Sequence, residues 1–179
     1  MIAAIPAFTE DEAQANAAFE ALLWALSRPG QIRTLPAPGE SGLIAALIDR
    51  ECKVFCADPL LMPAVLRTGA EIAEADRADH LFLGEMRDLS VLDQLRLGSD
   101  LYPDEGATVI ARARLGEGQA LRLKGPGIDG SMSLRVSGLP DGLWHKRADL
   151  IRYPMGFELI LLDGDRLAAL PRSTLVEVL

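Results

Sequence analysis

Residues Phe157-Glu158-Leu159-Ile160-Leu161-Leu162 form an almost unbroken apolar run between Pro154-Met155-Gly156 and Asp163-Gly164-Asp165. Fenced by turn residues at both ends, the run reads as a continuous buried strand, and such a strand belongs in the interior of a domain. The remainder alternates helical and strand-like segments, so the chain reads as a mixed α/β domain. No repeat, low-complexity tract or linker interrupts it, and residues 1–179 are taken as one domain.

Thr9-Glu10-Asp11-Glu12 is a capping box, in which the threonine hydroxyl and the glutamate satisfy each other's backbone amides. The following helix places Ala15, Phe19, Leu22, Leu23 and Leu26 on one predicted apolar stripe and stops at Arg28-Pro29-Gly30. A short strand is expected over 32–35. A second helix is expected from a Ser41 cap to about Arg50, then a buried strand over 52–57. Asp58-Pro59 reads as the start of a third helix closed by Gly69. Beyond the polar stretch 71–79, a strand is expected at 80–83, a short helix from Ser90 stopped by Gly98, and a helix over 141–152.

Segments 107–114, 119–125 and 131–137 read as three consecutive strands of a meander. Keeping Val109, Ala111 and Ala113 on one side with Leu121 and Leu123 requires an odd-length loop near Leu115-Gly116-Glu117. Adding Met132, Leu134 and Val136 requires an even second turn. The opposite face then collects Arg112, Arg114, Arg122, Lys124 and Arg135. One reading is a solvated or internally paired face; the other is contact with an anionic ligand or an acidic partner.

Few motifs carry chemistry. Gly125-Pro126-Gly127-Ile128-Asp129-Gly130 matches the dinucleotide fingerprint in form, but strand-like alternation follows it where a phosphate-binding helix is needed, and a hairpin turn is preferred. Cys52 and Cys56 sit four apart in one strand, which opposes a disulfide; with His80 and His145 isolated, no metal site is expected. His145 reads as a helix-surface side chain. Among the lysines only Lys53, between Cys52 and Val54, is a candidate for a desolvated Schiff-base amine, and a snorkelling side chain explains it equally well. Pro171-Arg172-Ser173-Thr174 offers a guanidinium and two hydroxyls that could hold a phosphate, although a Pro-initiated turn with a capping hydroxyl is favoured.

The net charge of −8 argues against a nucleic-acid footprint or an anionic membrane surface. No apolar run reaches the ~20 residues needed to span a bilayer. Met1-Ile2-Ala3-Ala4-Ile5-Pro6 is too short and lacks the basic flank of a signal peptide. A reduced, cytoplasmic location is the expectation.

Four blocks together resemble one family: Arg28-Pro29-Gly30-Gln31-Ile32, Leu123-Lys124-Gly125-Pro126-Gly127-Ile128, the segment from Tyr153-Pro154-Met155-Gly156 through Leu161, and Leu170-Pro171-Arg172-Ser173-Thr174-Leu175-Val176-Glu177. The family is the H subunit of the bacterial carbon–phosphorus lyase system of phosphonate metabolism. Weaker likeness runs through Phe19, Leu22 and Leu26, Asp58-Pro59-Leu60 and Pro103-Asp104-Glu105-Gly106-Ala107-Thr108. The chain departs from the family's usual Phe-Pro-Leu-Gly and Pro-Arg-Thr-Thr at Tyr153 and Met155 and at Ser173, all conservatively.

The resemblance implies a three-layer α/β fold, a mixed sheet between helices, similar to the large domain of pyridoxal-phosphate-dependent transferases but without that cofactor. It implies a homodimer in isolation and a place beside the G, I and J subunits, in a complex that couples a phosphonate to the ribose of ATP before the carbon–phosphorus bond is cut. The role expected for this chain is structural, with no catalytic residue to carry over. The alternative is a nucleotide- or phosphate-binding module, or an enzyme, that uses Arg172 and the basic face; a remoter one is a pyridoxal-phosphate enzyme acting through Lys53.

Overall fold

The computed structural model describes residues 9–179; the Met1–Pro6 reading lies outside the described residues. Thr9 opens α1 (Glu10–Ser27) with the full reciprocal capping box. Three more helices follow: α2 (Ser41–Leu47), α3 (Met62–Thr68) and α4 (Leu143–Leu150). The strands are β1 (Arg33–Thr34), β2 (Lys53–Cys56), β3 (Glu71–Ile72), β4 (His80–Glu85), β5 (Thr108–Arg112), β6 (Arg114–Lys124), β7 (Met132–Ser137), β8 (Glu158–Asp163), β9 (Arg166–Leu170) and β10 (Leu175–Val178). Among the described residues no helix is long and apolar enough to cross a membrane.

Seven strands form a mixed sheet in the order β1-β9-β8-β5-β4-β2-β3, in which β9 alone runs against the rest. Helices α1, α2 and α3 cover one face through Ala18, Leu22, Leu43, Ile44 and Val65, packed on Phe82, Ile110 and Ile160. The other face is covered differently from expectation. Its layer is a separate three-stranded antiparallel sheet, β10-β6-β7, joined by α4, rather than a second helical layer.

That second sheet replaces the expected meander. β5 stays in the large sheet, parallel to β4 and β8, and only Ala113 separates it from β6. The turn expected near 115–117 is a bulge inside one eleven-residue strand, where Leu115 and Gln119 both oppose Val136. The facing of the side chains survives this change. Val109, Ala111, Ala113, Leu121, Leu123, Leu134 and Val136 all enter one core, because two stacked sheets present their inner faces to each other as one folded sheet would. The β6–β7 register, Leu123 opposite Met132 and Leu121 opposite Leu134, has the even spacing that the pattern requires.

Helix boundaries also move. Only Leu22 of the predicted α1 stripe is fully buried; Ala18 and Ala25 join it, while Phe19 and Leu23 face out beside Trp24. The small face turns inward because α2 approaches closely, so that a Cβ at Gly42 would stand 3.4 Å from that of Ala18. Glu40, not Ser41, occupies the N-cap position of α2, which ends at Leu47. Asp58 accepts from the Leu60 amide at 3.0 Å and closes a turn, so α3 begins only at Met62. The helix expected from Ser90 is a 3₁₀ turn, Ser90–Gln94, and β3 falls within the polar stretch.

The stacking of β6 on the large sheet predicts that Leu121→Ala, which leaves a cavity between the two sheets, costs about 3 kcal/mol in urea unfolding. Gln119→Ala, two residues along on the exposed bulge, should change stability by less than about 0.5 kcal/mol.

Candidate functional site

Open α/β sheets bind ligands outside the carboxyl ends of their strands, where neighbouring connections depart to opposite faces. Here β2 and β4 are such a pair. From β2 the chain passes to α3 on the helical face; from β4 it passes to the Ser90–Gln94 turn, whose Leu92 enters the opposite core. A cleft of about 540 Å³ opens at this point, with Phe55, Leu83, Met86 and Val91 on its apolar side and Asp58, Glu85, Asp88, Arg87 and Arg112 on its polar side.

Arg112, at the end of β5, organises the polar side. Its Nε and Nη2 donate to the two carboxylate oxygens of Glu40 at 2.7 and 3.1 Å, and Nη2 also meets Asp58 at 2.9 Å. Glu40 is only 3% exposed, so this partner takes the place of water around its carboxylate. The pairing, first with Glu40, raises the guanidinium pKa above its usual value. Gly84, at φ +61° beside the bulge of β4, leaves room for the Asp58 and Arg112 side chains. Nη1 lies on that side and makes no hydrogen bond among the described residues, which leaves it available to an acceptor on a ligand.

On the cleft wall the Ser90 hydroxyl donates to the Asp88 carboxylate at 2.5 Å. Burial pushes the Cys56 thiol up, and its Sγ–H donates to the Asp58 carbonyl at 3.2 Å. Lys53 lies at the start of β2, away from the cleft at the strand's other end. Among the described residues no group of three His, Cys, Asp or Glu side chains is placed to hold a metal ion.

The residues singled out from sequence fall in two other places. Arg122 pairs with Glu177 across β6 and β10 at 3.2 Å, Arg135 donates to the Gly118 carbonyl, and Arg114 stands 3.7 Å from Glu117. With Lys124 they occupy the outer face of the small sheet, separated from Arg112. Exposed pairs of this kind contribute little to stability.

The four family blocks, by contrast, meet. Gly127 packs so closely on the end of α1 that a Cβ there would collide with the Ser27 carbonyl and lie 3.0 Å from Pro29. A Cβ on Gly125 would come within 2.7 Å of the Ser173 carbonyl. Gly30 backs onto Leu123 and Met132. The Pro171-Arg172-Ser173-Thr174 turn thus sits beside the Gly125–Gly127 loop, which rests in turn on Arg28-Pro29-Gly30. On its other side, Gly156 of the Pro154-Met155-Gly156 turn faces the Arg172 Cβ.

Arg172 is committed within this cluster. Its amide and Nε bind the Glu158 carboxylate at 2.7 and 2.6 Å, and Nη1 donates to the Pro103 carbonyl. Thr174 is buried with its hydroxyl unpartnered. Arg147 of α4, 3% exposed, donates to the carbonyls of Leu170, Pro171 and Thr174 at 3.2, 2.7 and 3.0 Å. Burial lowers its pKa to about 10, opposed by the charge of Glu158, so it remains a cation at neutral pH. Sequence reading missed Arg147, Glu40 and Gly84: a buried arginine on a polar-looking helix and an acid before a serine cap carry no local signal of such use.

A model of the bacterial phosphonate metabolism protein family PhnH matches residues 6–177. The chain belongs to this family. It is 38% identical to HtxG of Stutzerimonas stutzeri, named "Putative C-P lyase subunit protein HtxG", over 88% of this chain and 83% of that protein. It is 31% identical to the alpha-D-ribose 1-methylphosphonate 5-triphosphate synthase subunit PhnH of Rhizobium meliloti (strain 1021), over 96% of this chain and 94% of that protein.

Two outcomes follow from the geometry. Arg112→Met leaves Glu40 buried without its cation and should lower stability by about 2 kcal/mol, discounted for the partial exposure of Arg112. The Glu40→Leu/Arg112→Met pair should recover most of that loss in a double-mutant cycle. His80 is half-buried with its Nδ1 enclosed and unpartnered, and burial lowers its pKa below 6.5 against the pull of Asp79 and Asp49. Its neutral form therefore stabilises the fold above pH 6.5, and that contribution is lost as pH falls through the depressed folded value. In thermal melts, His80→Leu should show a shallower decline on the acid side than the wild type.

Proposed function

We propose that this chain is a subunit of a carbon–phosphorus lyase core complex, required for the coupling of an organic phosphonate to the ribose of ATP, and that its own contribution is assembly rather than catalysis. The observation that carries this reading is family membership over nearly the whole chain, with relatives on both sides named as subunits. The geometry supports it. Arg172 of the family blocks is committed to Glu158 and Pro103, and Arg112 at the cleft is held by Glu40 and Asp58. The partners in this reading are G, I and J subunits, and the location is the cytoplasm, in keeping with two free thiols.

The finer structural reading is a sheet arranged as in the large domain of pyridoxal-phosphate-dependent transferases, without the cofactor. A seven-stranded mixed sheet with one antiparallel strand supports the arrangement. In isolation the chain pairs with a second copy. α1 supports this with an outward face of Phe19, Leu23 and Trp24, an acidic first turn, and Arg28 and Arg33 stacked on Trp24 at 6.0 and 5.3 Å.

The cleft favours a second role, ligand binding inside the complex, because Arg112 lines it and its Nη1 makes no hydrogen bond among the described residues. Tagged chain co-expressed with the G, I and J subunits should retain them on affinity capture; consistent failure to do so ends the subunit reading. Calorimetric titration of the isolated chain with ATP and methylphosphonate should be silent if its role is assembly alone. Saturable heat that disappears in Val91→Trp, which adds bulk to the cleft wall, would establish the second role.

A further inference from the structure

Two loops leave the large sheet where β5 and β8 begin. Residues 98–105 are closed off by an antiparallel bridge between Leu97 and Gly106, and residues 152–155 by one between Arg152 and Met155. The loops are locked together at their bases. The Gly156 amide donates to the Leu97 carbonyl at 2.8 Å, and Gly106 lies so near Gly156 that a Cβ would collide with its carbonyl. Arg172, anchored on Glu158, reaches the first loop through the Pro103 carbonyl, and its Cβ packs where a side chain on Gly156 would stand.

At the ends of these loops stand Leu101, Tyr102 and Tyr153, exposed by 83%, 59% and 73%. Single apolar side chains on a surface are ordinary. Three of them on adjoining loops held by a largely buried arginine–glutamate pair are a different matter. The fold orders a leucine and two tyrosines in water, so the entropic cost of fixing their backbone is met before any partner arrives. Tyrosine anchors in a preordered frame are what protein interfaces use.

The charge around them selects the partner. Asp100 and Asp104 are exposed and make no ion pair among the described residues, Glu105 stands 3.7 Å from Arg96, and Arg152 is the exposed cation beside Tyr153. A second copy would bring the same acidic loop and a net charge of −8 against this surface, and an anionic membrane would be repelled in the same way. We propose that loops 98–105 and 152–155 form the surface through which this chain joins its complex. The partner is another subunit presenting an apolar pocket rimmed by lysine or arginine, which receives Leu101, Tyr102 and Tyr153. This rests on the subunit reading above.

The test is affinity capture of tagged chain co-expressed with the G, I and J subunits, at low and high salt. Leu101→Ser/Tyr102→Ser/Tyr153→Ser should retain at least tenfold less partner, with the melting temperature and solution size of the isolated chain unchanged. Asp100→Lys/Asp104→Lys should also weaken capture at low salt and flatten its salt dependence. This second variant alters exposed side chains only, so it decides the matter if the triple variant folds poorly. Wild-type retention by both variants overturns the surface and leaves the subunit reading intact, whereas no retention by the wild type overturns both. A triple variant that changes only the self-association of the isolated chain assigns the surface to a second copy and overturns the proposal.

Discussion

Strands β4, β5 and β8 are buried on both faces, and the rest of the fold follows from that. Their side chains alternate between two cores: Leu81, Val109 and Leu159 enter one, while Phe82, Ile110 and Ile160 enter the other. A strand apolar on both faces gains from burial only if two layers arrive, one against each side. The three N-terminal helices form one layer. The chain then leaves the large sheet after β5, runs through Ala113 into β6, and lays the small sheet over the other face. The later return of β8 and β9 to the large sheet completes the interior only because that lid is in place.

Two arginines hold the lid's far edge. β10 must leave β9 and cross to β6, and the crossing turn exposes carbonyls to the interior at Leu170, Pro171 and Thr174. Arg147 satisfies all three from α4, a charge-assisted arrangement worth more than three neutral bonds would be. Arg172 faces the other way and ties the same turn to Glu158 at the start of β8. The family blocks are therefore legible as one object in space: close-packed glycines where loops stack, and arginines where a turn must be satisfied without water. This also explains why no block is distinctive alone, since each supplies one side of a contact whose other side belongs to another part of the chain, as with Gly125 and Ser173.

The local signals were the readable part of the chain. The Thr9 capping box, the Gly69 stop and the apolar run of β8 are decided by neighbours within four or five residues, and each stands where sequence places it. The facing of β5, β6 and β7 was also readable, because burial alternates whichever sheet a strand joins. Which sheet that is was not readable. Gly116 and Gly118 serve a bulge as readily as a turn, and the choice is made by β10, which pairs with β6 from the far end of the chain. The α1 stripe failed for a related reason. Hydrophobicity alone favours Phe19 and Leu23, but close approach by α2 rewards the alanine face instead. The Glu40–Arg112 pair links residues 72 apart, beyond any spacing rule.

The cleft and the proposed docking loops occupy opposite ends of the same strands. Arg112 closes β5 at the cleft; Thr108 and Glu158 open β5 and β8 beside the two apolar-tipped loops. Four residue steps of strand separate them, roughly 13 Å at about 3.3 Å per residue. That spacing places them beyond direct contact, and the material between is the fully buried, close-packed interior of β5 and β8. Changes at one end should therefore be nearly additive with changes at the other. A subunit can in this way be held by its loops while its cleft remains open and undistorted. This division suits an assembly protein, because the rigid sheet lets one end serve the partner without disturbing the other.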